Sequence, residues 1–231
     1  MTSPESPNLR TLITAGPTHE PIDAVRFLGN RSSGRMGLAL ARAADDRGWP
    51  GTLLLGPGIE LPLDHSHLQI IRFHTAADLE GLLADLWPHH DVLLMAAAVS
   101  DYRPGIPQEG KLRRVERSMT LELEPTPDLL ASLKEGTRPD QTVVGFALEP
   151  QERLLDSAEE KLGRKGLDMI VANPLETMDA ETISATLLRA DGGVVHPDPN
   201  LPKLIFAGWL LDQVELWREE CRRRRRKSPI Q

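Results

Sequence analysis

A chain of 231 residues with 40% hydrophobic and 26% charged side chains can bury a substantial core, and its balance is that of a globular domain. No run of 18 apolar residues exists, which argues against a membrane-spanning helix, and the opening MTSPESPNLR lacks the basic-then-apolar pattern of a secretory leader. The net charge of −7 hides an asymmetry: Arg222 to Arg226 and Lys227 supply six positive charges, leaving 21 basic against 34 acidic residues elsewhere, a balance that opposes nucleic-acid binding. The basic run itself reads as a solvated helix end or a disordered tail. One cysteine, Cys221, allows no internal disulfide and fits a cytoplasmic setting.

From the N-terminus, short apolar runs alternate with helical patterns. TLITAG (11–16), GTLLLG (51–56), IIRF (70–73), DVLLMAAA (91–98), TVVGFAL (142–148) and DMIVANP (168–174) read as buried strands, nearly continuous in apolar character. Between them, 33–48, 75–87, 127–136 and a segment from about 152 to 165 read as helices. SATLLRADGGVVHP (184–197) reads as a hairpin turning at Asp191-Gly192-Gly193, and 201–220 as a long amphipathic helix. The order implies an α/β fold: a three-layer, Rossmann-like, doubly wound and mostly parallel sheet, with the hairpin as a small C-terminal appendage suited to dimerisation. Ligands of such sheets sit beyond the carboxyl ends of the strands, near the point where strand order reverses.

The stretch NRSSGRMG (30–37) lies where Met36, Leu40 and Ala44 begin an apolar helical stripe. Ser32 or Ser33 suits an N-cap, Gly34 and Gly37 allow close approach, and Arg31 and Arg35 flank a helix start able to bind phosphate. About fourteen residues separate this helix from the preceding AGPT turn, so no GxGxxG dinucleotide fingerprint is present. The intervening loop is long, and its Thr18, Glu20, Asp23, Arg26 and Asn30 can all grip a polar ligand. MAAAVSDYRP (95–104) ends a strand in small residues, leaving room for a ligand, with Asp101 placed to accept from a base or ribose. Lys111 stands in a Gly- and Pro-containing segment that reads as a flap bearing three cations.

In the helix from about 152, Leu154, Leu155, Ala158 and Leu162 form the apolar stripe, and Lys161 and Lys165 fall within it. Two inward cations four residues apart imply an anion between helix and sheet. His65-x-His67 and His89-His90 have no third ligand at recognisable spacing, and no serine–histidine–aspartate order is visible.

The segments LITAGPTHEPIDAVRFLGNRSSGRMG, MAAAVSDYRP, GKLRR, TPDLL, VGFALE and KLGRKGLDMIVAN, in this order over about residues 11 to 175, resemble the phosphopantothenoylcysteine synthetases, the phosphopantothenate–cysteine ligases of coenzyme A biosynthesis. The resemblance implies that the carboxylate of 4′-phosphopantothenate attacks the α-phosphate of CTP to give an acyl-cytidylate and pyrophosphate. The cysteine amine then takes the acyl group and releases CMP. It implies catalytic roles for Asn30, Arg26 and the flap residue Lys111, phosphate binding at Ser32, Ser33 and Gly34, and a nucleotide pocket from Met95, Ala96, Ala97, Ala98, Asp101, Pro127, Asp128, Leu129, Leu130 and Phe146. Lys161 and Lys165 would reach the phosphates. Mg²⁺ is the implied cofactor, its ligands unknown, and a homodimer without nucleic acid or membrane the implied assembly. A single ligase domain follows: 8–175 as binding core, 176–220 as hairpin and helix, 221–231 as basic tail. His19, Arg35, the flap Lys-Leu-Arg-Arg and TMDAETISATLL depart from the family's usual residues. An NAD(P)- or flavin-dependent oxidoreductase on the same fold, and a silent nucleotide-binding subunit, are the alternatives.

Overall fold

The computed structural model describes residues 8–61, 67–114 and 116–227. The chain runs β1 (Thr11–Ala15), β2 (His19–Pro21), β3 (Phe27–Gly29), α1 (Arg35–Asp46), β4 (Gly51–Leu55), β5 (Leu68–Arg72), α2 (Ala76–Leu86) and β6 (Val92–Met95). It continues through β7 (Tyr102–Pro104), β8 (Leu123–Pro125), α3 (Leu129–Leu133), β9 (Thr142–Glu149), α4 (Leu154–Lys165) and β10 (Met169–Pro174). It closes with β11 (Thr182–Ile183), β12 (Thr186–Arg189), β13 (Val194–Val195), β14 (Leu201–Pro202) and α5 (Lys203–Lys227).

Eight strands form one sheet in the order β13-β12-β10-β9-β6-β1-β4-β5. The six from β10 to β5 are parallel, and β12 and β13 add an antiparallel edge. The fold is therefore the mostly parallel α/β architecture expected. The 184–197 hairpin differs from an appendage set apart, because β12 pairs directly with β10 and the hairpin continues the main sheet. The last helix is also longer than its apolar pattern, reaching Lys227.

Alternation within each strand divides the core. Ile13, Leu53, Leu55 and Leu94 face α1 and α5, together with Leu40, Ala44, Phe206, Leu210 and Val214. Leu12, Leu54 and Leu93 face the other way, onto Leu79, Leu83, Leu129, Ala158 and Leu162 of α2, α3 and α4. Both sheet faces are covered, which is why the strands lack polar alternation. Helix boundaries follow local chemistry: Thr75 and Asp78 make a reciprocal capping box at α2, and Gly166, at φ 65°, ends α4.

From the central pair β1 and β6, the chain winds outward to β4 and β5 on one side and to β9 and β10 on the other. Strand order thus reverses between β1 and β6, and a crevice opens beyond their carboxyl ends. Parallel contact persists there, with Ala98 N–H donating to the Gly16 carbonyl at 2.9 Å and Thr18 N–H to that of Ala98 at 3.2 Å.

Candidate functional site

A cavity of about 820 Å³ occupies that crevice, within the range of small-molecule sites. Its floor is the end of β6: Met95 through Ala98, whose small side chains leave the space open. Thr14 Oγ1 fixes this turn by donating to Met95 Sδ at 3.4 Å and accepting from the Ala97 N–H at 2.9 Å. Asp101, Pro127, Asp128, Leu129, Leu130 and Phe146 form one flank. Lys161 and Lys165 close it from α4, and Asn30, Ser32, Ser33 and Gly34 complete the opposite rim.

The start of α1 faces this space. The N-cap is Gly34, at φ 68°, and among the described residues no side-chain cap bonds the first turn. Ser32 and Ser33 therefore do not cap the helix as expected; Ser32 Oγ accepts from the Gly34 N–H at 3.3 Å instead. A left-handed residue is needed to swing the chain into α1, a conformation that serine adopts poorly. Among the described residues the first N–H groups are therefore left without a side-chain acceptor at the cavity rim, the arrangement by which helix starts take up anions. Asn30 Nδ2 donates to the Val99 carbonyl at 2.9 Å, tying this rim to the β6 loop.

The two lysines of α4 do face the sheet, but the chain supplies their anions itself. Lys161 Nζ lies 2.6 Å from Glu149 Oε1, and this pairing holds the Glu149 carboxyl below its usual range. Lys165 Nζ and Arg164 Nη1 each lie 3.0 Å from Asp128, whose carboxyl is depressed by those cations against the opposing effect of burial. The stripe itself needs one correction: Leu154, Ala158 and Leu162 are buried, whereas Leu155 is 48% exposed. It stands one residue beyond the face that meets the sheet.

Three polar residues of the 17–30 loop brace structure instead of facing a ligand. Thr18 Oγ1 accepts from the Ser100 N–H at 3.0 Å, and Glu20 Oε1 from the Ala76 N–H at 2.8 Å, at the start of α2. Asp23 accepts from the N–H groups of Val25, Arg26 and Leu112, and pairs with Arg26 at 2.5 Å. All three are buried. Arg26 and Lys111 stand apart from the cavity wall. Arg26 Nη1 meets the carbonyl of Leu112, the residue after Lys111, at 3.5 Å, and the 105–114 segment hydrogen-bonds to the loop through Ala24 N–H to Gly110 O and Gln108 N–H to Ile22 O.

The sequence reading missed Asn173, Asp179 and Lys203, which form the wall where β10 and α5 approach α1. Lys203 opens the apolar helix after Pro202, a signal visible in the sequence but indistinguishable there from a solvated helix start. His67 contacts Asp45, His90 Nδ1 contacts the Leu86 carbonyl, and His65 lies outside the described residues. Among the described residues no three His, Cys, Asp or Glu side chains are grouped to hold a metal, and no helix is long and apolar enough to cross a membrane. The basic run continues α5, with Arg223 paired to Glu219 and Arg224 to Asp191, while residues 228–231 lie outside the described residues.

A doubly wound, mostly parallel sheet with a cavity at its switch point makes this a Rossmann-like α/β domain with a ligand-sized crevice. Residues 7–216 match the family described as the DNA/pantothenate metabolism flavoprotein C-terminal domain, and the chain belongs to that family. It is 38% identical over 185 residues to the Coenzyme A biosynthesis bifunctional protein CoaBC of Bacillus subtilis (strain 168), covering 78% of this chain and 45% of that one. It is 42% identical over 167 residues to a Cysteine/Cysteine sulfinic acid decarboxylase from an unknown prokaryotic organism, covering 72% of this chain and 46% of that one. The chain thus spans about half the length of the curated relatives it matches. A crystal structure of the C-terminal domain of CoaBC superposes with a TM-score of 0.75 at 36% identity, over 92% of this chain and 96% of that one. The likeness to phosphopantothenoylcysteine synthetases read from the motifs holds at the level of family and fold.

Proposed function

We propose that this chain is a phosphopantothenate–cysteine ligase that works through an acyl-nucleotidylate, with CTP as the nucleotide. The observation that carries the reading is the switch-point cavity, which joins an uncapped helix N-terminus, a small-residue strand end and a set of cations in one space. Such a space suits a triphosphate beside an acid that is itself a phosphoester. The CoaBC relatives and the decarboxylase named above each match along most of this chain and over less than half of their own length, so the reading leans on the cavity and not on these lengths.

The chemistry needs no side-chain nucleophile. The substrate carboxylate attacks phosphorus, and the protein's work is to hold the two anions together and to stabilise the charge that leaves. The Asn30 amide, anchored on Val99 O, is placed to orient the acyl-nucleotidylate. Phe146 and the Ala96–Ala98 turn border the space for the base, and Asp101 that for the ribose. Arg26, bonded to the Leu112 carbonyl beside Lys111, is assigned with Lys111 to a flap that closes over the substrates. Mg²⁺ fits as a companion of the nucleotide phosphates and water, because no preformed cage of three ligands exists among the described residues while Asp101 and Asp179 offer oxygens at the cavity. When bound it offsets phosphate charge. Exposed Val25, Phe27, Tyr102, Ile106 and Met119, on the β2–β3 and β7–β8 ribbons and the segment between the latter, suit a homodimer contact. A cytoplasmic setting follows from the substrates.

Incubation with 4′-phosphopantothenate, cysteine and Mg²⁺, with CTP in one reaction and ATP in another, tests the reading through pyrophosphate release. Release with CTP supports it in full; release with ATP alone keeps the ligase and changes the nucleotide. Folded protein that releases none in either reaction refutes it.

A further inference from the structure

The cations around the cavity differ in whether their charge is already compensated. On the α4 wall three of them, Lys161, Arg164 and Lys165, face two carboxylates, Glu149 and Asp128, at 2.6–3.0 Å. On the opposite wall, Lys203 Nζ makes one hydrogen bond among the described residues, a long 3.5 Å contact with the Thr177 carbonyl. Arg35 Nη1 donates to the Asp179 carbonyl at 2.5 Å. Neither residue forms a salt bridge with a carboxylate among the described residues. A carbonyl oxygen satisfies a donor without cancelling its charge.

Among the described residues, cavity cations without a salt bridge therefore include Lys203 and Arg35 on the wall between α1 and α5, beside the first turn of α1, and Arg31 on the adjoining rim, with the Asp179 carboxylate acting on Lys203 from the same lining. Lys203 is half-buried there. Burial, and after it the neighbouring Arg35, depress its ammonium below the usual lysine range against the pull of Asp179, which is the condition of a cation in want of an anion.

We propose that Lys203, together with Arg35, binds the β- and γ-phosphates of the nucleoside triphosphate and retains the pyrophosphate as it departs. This rests on the nucleotide reading of the cavity. In the first half-reaction an oxygen of the substrate carboxylate forms a bond to the α-phosphorus. The bond from that phosphorus to the oxygen bridging to the β-phosphate breaks, and pyrophosphate leaves with the electron pair. The added negative charge develops on the leaving oxygens, where a fixed cation lowers its energy most. Lys161 and Lys165 serve this purpose less readily, because each must first share or release a carboxylate that already lies within 3.0 Å.

The test is binding of CTP, CMP and inorganic pyrophosphate, in Mg²⁺, to the full chain and to Lys203→Met and Arg35→Gln. Each variant is expected to weaken CTP and pyrophosphate about tenfold, the scale of one lost charged hydrogen bond. CMP, which lacks the β- and γ-phosphates, is expected to stay within about twofold on the same grounds, and Lys203→Arg to retain most of the affinity for CTP. Unchanged CTP binding in both variants overturns the inference, as does an equal loss of CTP and CMP. Should Lys203→Met fail to fold, Arg35→Gln decides alone, since Arg35 is exposed. Wild-type protein that binds none of the three overturns the nucleotide reading and this inference together. Wild-type binding with unaltered variants overturns this inference only.

Discussion

On the proposed ligase reading the chemistry turns most sharply on Asn30, which is exposed and yet held: its amide reaches across the rim to Val99 O. Asn30→Asp keeps the shape, removes the donor and adds a negative charge to a cavity proposed to take anions. Activity, read as kcat/KM for pyrophosphate release, is expected to fall about 100-fold, or roughly 2.7 kcal/mol. The melting temperature is expected to move by no more than about 2 °C, as for other exposed positions. A large drop in melting temperature with intact specific activity would mean that Asn30 only holds the loop. At this scale the sequence was legible in part. Helical spacing placed Lys161 and Lys165 toward the sheet, since direction on a helix is set by position. Their partners Glu149 and Asp128 come from other elements, and no local period reveals a pairing across elements. Thr18, Glu20 and Asp23 misled for the converse reason: a carboxylate that caps α2 or a backbone turn has the same letter as one that awaits a ligand.

At the scale of elements, the approach of α1 to the sheet governs the cavity's shape. A Cβ at Gly37 would lie 2.4 Å from the Ala15 Cβ and 2.8 Å from the Ala15 Cα, closer than packed atoms stand. Gly37→Ala therefore pushes α1 off β1 and carries the uncapped first turn away from the β6 loop. Urea unfolding is expected to show a loss of about 1–3 kcal/mol, the cost of overpacking, accompanied by weaker CTP binding. Wild-type stability would show that α1 slides without strain, and the close packing would then be immaterial. The long buried strands and the helices were readable because both sheet faces are covered, so each strand appears as an unbroken apolar run. The ribbons β2–β3 and β7–β8 and the short β11–β14 pair were not readable, because strands of two or three residues carry no period. The 184–197 hairpin was recognised from its turn, yet its place depended on the pairing of β12 with β10, a contact fixed by the sheet as a whole.

Over the whole molecule, protonation couples the fold to the charge of the site. Although burial opposes it in Asp23, Asp128 and Asp191, backbone N–H donors at Asp23, Lys165 at Asp128 and Arg224 at Asp191 hold these carboxyls below the usual range. The Thr75 N–H does the same for Asp78, and Lys161 for Glu149. Burial also depresses His19 and His90, whereas it raises Asp168 and Glu215. For the depressed groups the unfolded chain takes up protons first as pH falls. Their contribution is thus complete above the unfolded values, about 6.5 for histidine and about 4 for carboxyls, and is lost through the lower folded values. Asp168 and Glu215 act in the opposite sense, holding protons in the fold that the unfolded chain has released, and so they favour the fold on acidification. The depressed groups outnumber these two. The urea midpoint in 0.15 M salt is therefore expected to be highest near neutrality, to decline modestly between about pH 6.5 and 5, and to fall steeply below about pH 4. A midpoint that rises steadily from pH 7 to 4 would show Asp168 and Glu215 dominating. The same carboxyls that compensate Lys161, Lys165 and Arg164 are among those whose protonation weakens the fold. Conditions acidic enough to free the α4 cations therefore also destabilise the domain, and on the proposed reading the incoming polyphosphate is met at neutral pH by cavity cations that have no salt bridge among the described residues, Arg35 and Lys203 with Arg31 beside them.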